Sequence, residues 1–164
     1  MLNSLIQKYC RKGVLVDTNL LVGFLVGRFN PTHLINCRAT KAFAPDDFQL
    51  LVRFLSRFDK LITTPHILTE VSNLAGKLPD DLIEGFRMTF GQQVKILAEQ
   101  PMTADKIVDN SEFPRFGLTD TAVRMIAPGK YLVLTDELPL YQLLCKRNVD
   151  VINFNHIRHL GWED

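Results

Sequence analysis

No stretch of this chain is long and apolar enough to cross a bilayer. The longest uninterrupted apolar run, Leu20 to Val26, contains a glycine and falls far short of the roughly 20 residues a spanning helix needs. No membrane partner is therefore expected. Cysteine is scarce: Cys10, Cys37 and Cys145 are odd in number, widely spaced and form no Cys-x-x-Cys pair. That excludes a disulfide framework and argues against structural zinc, leaving reduced, mostly buried thiols as the expectation. A glycine-rich phosphate loop is missing, and so are internal repeats and low-complexity tracts. The N-terminus lacks a signal-peptide pattern, since Lys8, Arg11 and Lys12 follow the first apolar residues, and a cytoplasmic location is expected.

Charge of one sign is also lacking, for the net charge is only +1. Setting four acids aside for a single site leaves 14 of the 18 Asp and Glu against 19 Lys and Arg. A mildly basic exterior around an acidic hole permits a polyanionic substrate without requiring one.

What is present suits one globular domain over residues 1–164, with 46% of the residues apolar. Leu2 to Tyr9 reads as one or two helical turns, and Val14-Leu15-Val16, introduced by Gly13, as a buried strand ending at Asp17. Leu20, Leu21, Phe24 and Leu25 are spaced for a helix to about Phe29, capped from Asp17 to Asn19. After Asn30-Pro31 the chain reads as irregular to Pro45, and Asp46-Asp47 opens a helix burying Phe48, Leu51, Leu55 and Phe58. Leu61-Ile62-Thr63 is a strand, and Thr64-Pro65 starts a helix to Gly76.

Pro79 opens a longer helix to about Gln100, with a short helix at Asp105 to Val108 to follow. Another helix starts at Leu118-Thr119-Asp120 and stops before Pro128. Tyr131 to Leu134 is a strand, Leu140 to Lys146 lies in a helix, and Val149 to Phe154 is a closing strand. Strands alternating with helices predict an α/β fold, a three-layer α/β/α sandwich on a mainly parallel sheet. Ligands of such sheets gather beyond the carboxyl ends of the strands.

Four carboxylates stand in costly positions. Asp17 and Asp136 each follow a buried strand directly. Glu70 is three residues after Ile67 and four before Leu74, at the edge of an apolar stripe rather than in open water. Asp120 stands in a similar relation to Val123 and Ala127. Gathered together, such groups raise one another's pKa values, and a divalent cation relieves the repulsion. That ion is expected to be Mg²⁺ or Mn²⁺, one or two in number. Taken singly, Asp17 and Asp136 also suit helix caps, Asp120 suits the dipole of a first turn, and Glu70 suits a solvated face.

At these residues the chain resembles the PIN-domain nuclease family. Val14-Leu15-Val16-Asp17-Thr18-Asn19 is similar to its opening motif, and Thr63-Thr64-Pro65-His66-Ile67-Leu68-Thr69-Glu70-Val71 to its second. Gly117-Leu118-Thr119-Asp120-Thr121-Ala122 resembles the third, and Leu132-Val133-Leu134-Thr135-Asp136 the fourth. The resemblance covers Val14 to Phe154. It implies Mg²⁺- or Mn²⁺-dependent endoribonuclease activity on single-stranded RNA. Asp17, Glu70, Asp120 and Asp136 then serve as catalytic residues and metal ligands, with Asn19, Thr135 and Glu137 as supporting polar groups. Toxins of toxin–antitoxin pairs are among the relatives, so an antitoxin protein and a second copy of the chain are possible partners.

Three features depart from the pattern, the long N-terminal lead-in among them. Leu138 stands where many relatives carry a further acid, and the segment from Arg28 to Asp47 is longer than compact toxins need. A non-catalytic PIN module binding RNA or a protein is the alternative, and a DNA-directed nuclease a weaker one. Lys146-Arg147 and Arg158 are candidates for an RNA path, Phe113-Pro114-Arg115-Phe116 for a base-stacking element. His156 and His159 are minor candidates for phosphate or metal.

Overall fold

Val14, Leu15 and Val16 are wholly buried and form β1 (Val14–Val16), the middle strand of a five-stranded sheet in a computed structural model that describes residues 2–160. Its neighbours are β2 (Leu61–Thr63) and β4 (Leu132–Thr135), with β3 (Ala98–Glu99) and β5 (Val151–Asn153) at the two edges. All four pairings are parallel. Buried on both faces, β1 and β4 are continuous apolar runs without alternation, as parallel sheets require.

Helix α1 (Leu2–Tyr9) precedes β1. Between β1 and β2 lie α2 (Thr18–Phe29) and α3 (Pro45–Leu55), and between β2 and β3 lie α4 (Pro65–Ala75) and α5 (Asp80–Val94). The return to β4 passes through α6 (Ala104–Val108) and α7 (Phe113–Ile126), and α8 (Leu138–Lys146) joins β4 to β5, after which α9 (Phe154–Leu160) closes the described chain. Parallel crossovers are right-handed, so helices after β1 and β2 cover one face. From β3 onward the chain crosses the sheet in the opposite sense, and its helices cover the other. Helix α2 packs on α3, α4 and α5, and α6 on α7, which gives the expected three-layer α/β/α sandwich.

Local chemistry sets the junctions. Gly13 has φ of 116° and sits where a Cβ would come within 2.9 Å of Ile62 and of the Lys60 carbonyl, so only glycine leads into β1. Thr64 caps α4, its hydroxyl accepting from the Ile67 amide at 3.2 Å. Gly117, at φ 74° and ψ −172°, breaks α7 in two, so the segment carrying Asp120 begins at Leu118 as the sequence predicts.

Several expectations need correction. The helix from Pro79 ends at Val94 rather than near Gln100, and the residues after it supply the edge strand β3. Two residues are too short to give a period-2 signal, which is why the sequence hides it. The closing strand is only Val151–Asn153, because the Asn153 side chain accepts from the Asn155 amide at 2.9 Å and turns the backbone into α9. Phe154 and Ile157 are buried from that helix and mimic a continuing strand. Of the thiols only Cys37 is buried; Cys10 is partly covered and Cys145 exposed.

The stretch after Phe29 is more ordered than expected. Pro31–Asn36 forms a 3₁₀ turn whose cap, Asn30, accepts from the Thr32 amide at 3.0 Å. Thr40 donates to the Leu34 carbonyl at 2.6 Å, and the buried Phe43 ring stacks on Phe154 with centroids 6.0 Å apart. Arg158 then fastens the segment to α9. It grips both carboxylate oxygens of Asp47, at 3.0 and 2.7 Å, and donates to the Ala42 carbonyl at 3.1 Å. A bidentate arginine–carboxylate pair is a geometrically exacting contact, and this one is largely buried. No described helix is long and apolar enough to cross a membrane.

Candidate active site

The strand order reverses between β1 and β4, so the helices after them leave toward opposite faces and open a crevice at their carboxyl ends. Asp17 stands at its floor. Its amide donates to the Leu134 carbonyl at 2.9 Å, making it the last point at which β1 is tied to β4. Its Oδ1 accepts from the Thr18 amide at 2.7 Å, and its Oδ2 from the Thr135 hydroxyl at 2.5 Å. Only 2% of the residue is exposed. Burial pushes its carboxyl up to about 7, with the charges of Glu137 and Asp136 adding to the rise; the bonds from Thr135 and Thr18 oppose it.

Asp120 lies half-buried on the first turn after the Gly117 break, and its carboxyl is likewise pushed up to about 7 by burial, then by Asp17 and Glu70. No hydrogen bond reaches it among the described residues, and only acids act on its charge. Asp136 is raised by burial, against its own backbone, Asn19 and the nearby Arg158, which lower it. Its Oδ1 is buried without a hydrogen-bond partner among the described residues. Glu137 is raised by burial and then by Asp120, Asp136 and Glu70. It accepts from the Asn19 amide at 3.1 Å, while its own backbone N–H donates to the Thr135 hydroxyl at 3.0 Å.

Glu70 departs from expectation: it is exposed, not set at the edge of the buried stripe. The helix face it occupies turns toward solvent at the crevice mouth, and two hydroxyls fix the carboxylate there. Thr18 donates to Oε2 at 2.8 Å and Thr119 to Oε1 at 2.6 Å. These threonines were missed from sequence, although each stands beside a singled-out acid. Asn155 was missed as well; its amide donates to the Asp136 carbonyl at 3.0 Å and holds the turn after β4.

All four acids singled out from sequence, with Glu137 as a fifth, thus act on one another's charge at one crevice. Their oxygens are not gathered further: among the described residues, no group of three or more His, Cys, Asp or Glu side chains is disposed to hold a metal ion. The reason is visible in their partners, for Glu70 is drawn to its two threonines and Glu137 to Asn19. The chemistry of the donors nevertheless suits a hard divalent cation. They are oxygens only, they repel one another, and among the described residues Asp136 Oδ1 and the Asp120 carboxyl have no donor of their own.

The lesser candidates divide. Arg158 is spent on Asp47, Asn155 and Ala42. His156 packs edge-on against the Tyr141 ring, 5.3 Å between centroids. Arg147 donates to the buried Glu112 at 2.5 Å, and Arg124 pairs with the other Glu112 oxygen at 2.8 Å. Glu112, unremarked in the sequence, therefore ties the helix carrying Asp120 to the helix that follows Asp136. Comparison with known proteins finds no family model, no curated protein and no solved structure that matches the chain.

Proposed function

We propose that this chain is a metal-dependent endoribonuclease of the PIN type, cleaving phosphodiester bonds of single-stranded RNA. The observation that carries the reading is the crevice at the β1–β4 reversal, where Asp17 and Asp120 are both pushed up to about 7 by burial and by neighbouring acids. Acids perturbed by burial and by one another, and set in a cleft, are functional-site candidates. A fold gains nothing from such crowding unless a cation or a proton is meant to enter.

Asp17, Asp120 and Asp136 would hold Mg²⁺ or Mn²⁺, with Glu70 at the mouth. When bound, such an ion polarises a phosphoryl oxygen and activates water as the nucleophile. The chain's own residues supply placement. Thr135 and the Thr18 amide fix both oxygens of Asp17, and Thr18 and Thr119 fix those of Glu70. Asn19 holds Glu137 beside Asp136, a residue before the position where relatives of the resembled family carry an acid and this chain has Leu138. The narrower reading, a toxin with an antitoxin partner, rests on the family resemblance alone.

The test is cleavage of labelled single-stranded RNA and DNA by purified protein with Mn²⁺ or Mg²⁺, repeated with chelator and with Asp17→Asn. Metal-dependent RNA cleavage that the variant loses supports the reading; equal cleavage by both proteins overturns it. One observation favours a second reading, a non-catalytic PIN module. The acid side chains are not drawn into a ligand set, and binding of RNA without cutting would support that module.

A further inference from the structure

A trough of about 560 Å³ lies beside the carboxylate crevice, between the start of α7 and an exposed face of α8. Leu138, Gln142 and Lys146 recur every fourth residue along its α8 wall, and Arg115, Phe116 and Arg147 are among the residues that face them. Leu138 is 55% exposed and follows Glu137 directly, so the trough opens where the acids end. Its size is that of an ordinary ligand pocket.

Its charge is opposite to that of the crevice. Three cations line it, and the one lining acid, Glu112, is already held by Arg124 at 2.8 Å and Arg147 at 2.5 Å. Among the described residues Arg115 and Lys146 form no ion pair. The Arg115 guanidinium lies over the Phe116 ring, 5.2 Å from its centroid, giving a flat cationic platform at the rim. Surplus positive charge with a planar aromatic surface matches single-stranded nucleic acid, in which phosphates seek cations and unpaired bases seek rings. An acidic peptide would use the cations but not the platform.

Building on the nuclease reading, we propose that this trough is the subsite for nucleotides flanking the scissile phosphate. Arg115 and Lys146 take phosphates, and a base stacks on the platform that Arg115 makes over the partly buried Phe116 ring. Single strands fit because a base stacked within a duplex offers no free face.

The test is fluorescence anisotropy of a labelled eight-nucleotide oligoadenylate in chelator, across a salt series, with octaglutamate as competitor. Circular dichroism checks that each variant is folded. The double variant Arg115→Gln/Lys146→Gln should lower the slope of log K against log salt by about 1.4, at about 0.7 per single-strand phosphate contact. Phe116→Leu should weaken binding roughly 5- to 160-fold, the range for loss of one stacked base, with the slope unchanged. Absence of wild-type binding, an unchanged slope in the double variant, or octaglutamate competing as well as unlabelled oligoadenylate would each overturn the subsite. Cleavage separates this from the parent reading. Subsite binding with no metal-dependent cleavage sinks the nuclease and leaves the subsite, whereas cleavage with an unaltered slope does the reverse.

Discussion

The Thr135 hydroxyl donates to Asp17 Oδ2 at 2.5 Å across 118 residues of chain, binding the carboxyl end of β4 to that of β1. The same oxygen accepts from the Glu137 amide, so one hydroxyl orders the floor of the crevice and the turn after it. Thr135→Val keeps the shape and removes the donor. A buried acceptor that loses its partner costs about 1–3 kcal/mol. We expect that loss in urea denaturation at pH 8, and a smaller one at pH 5, where Asp17 is protonated.

Burial and neighbouring acids push the Asp17 and Asp120 carboxyls from the ordinary 3.8 up to about 7 in the folded protein. Between those values the folded state binds more protons than the unfolded one, so stability falls as pH rises through that window. Thermal unfolding in chelator should therefore show a higher midpoint at pH 5 than at pH 8. Asp17→Asn should flatten the dependence and raise the midpoint at pH 8, at about 2–4 °C per kcal/mol for a chain of this size. A midpoint that climbs from pH 5 to pH 8 in the wild type would contradict the burial of these acids.

Millimolar Mn²⁺ or Mg²⁺ should raise the thermal midpoint at pH 8 and chelator should reverse it. Ligand at 100 times its Kd adds about 2.7 kcal/mol. The increment should shrink toward pH 6 as protons compete for the same oxygens, and vanish in Asp17→Asn/Asp120→Asn. Calorimetric titration of metal into the double variant checks the assignment directly.

Glu112 is 7% exposed, accepts a hydrogen bond from Arg147 at the end of α8 and is ion-paired with Arg124 on α7. Glu112→Gln leaves the amide unable to satisfy both guanidinium groups, at a cost of about 1–3 kcal/mol. Because the clamp joins the helices beside Asp120 and Asp136, cleavage should fall along with stability. Unchanged denaturation midpoints would show that the pairs are fully screened by solvent.

The central sheet was legible because β1, β2 and β4 are apolar runs closed by turn residues, and because Asp17 and Asp136 directly follow two of them. Edge pieces were not. Ala98–Glu99 carries no periodic signal, and α9 begins with the apolar Phe154, which reads as more strand. The five acids could be named from position, but their fixing groups could not. Thr18, Thr119 and Asn155 act through contacts 19 to 52 residues away in sequence, and helical or strand spacing does not encode such distances. Glu112 failed for the same reason: its partners lie on later turns of α7 and at the end of α8.

Arg158 gives the long excursion between α2 and α3 a bearing on the chemistry. The side chain that secures residues 42–47 also bonds Asn155 at 3.1 Å, the residue that holds the Asp136 carbonyl, and its charge lowers the Asp136 carboxyl. Excising residues 31–44 would strip away the Ala42 acceptor and loosen the hold of Asp47. A guanidinium less firmly held would be free to swing toward the Asp136 carboxylate, whose charge it already influences, and to compete there with an incoming cation. A trimmed protein that still folds should thus require more Mn²⁺ for half-saturation than the intact one, with Arg158→Gln abolishing the difference. The excursion, on this view, is a leash that keeps one positive charge out of the doorway.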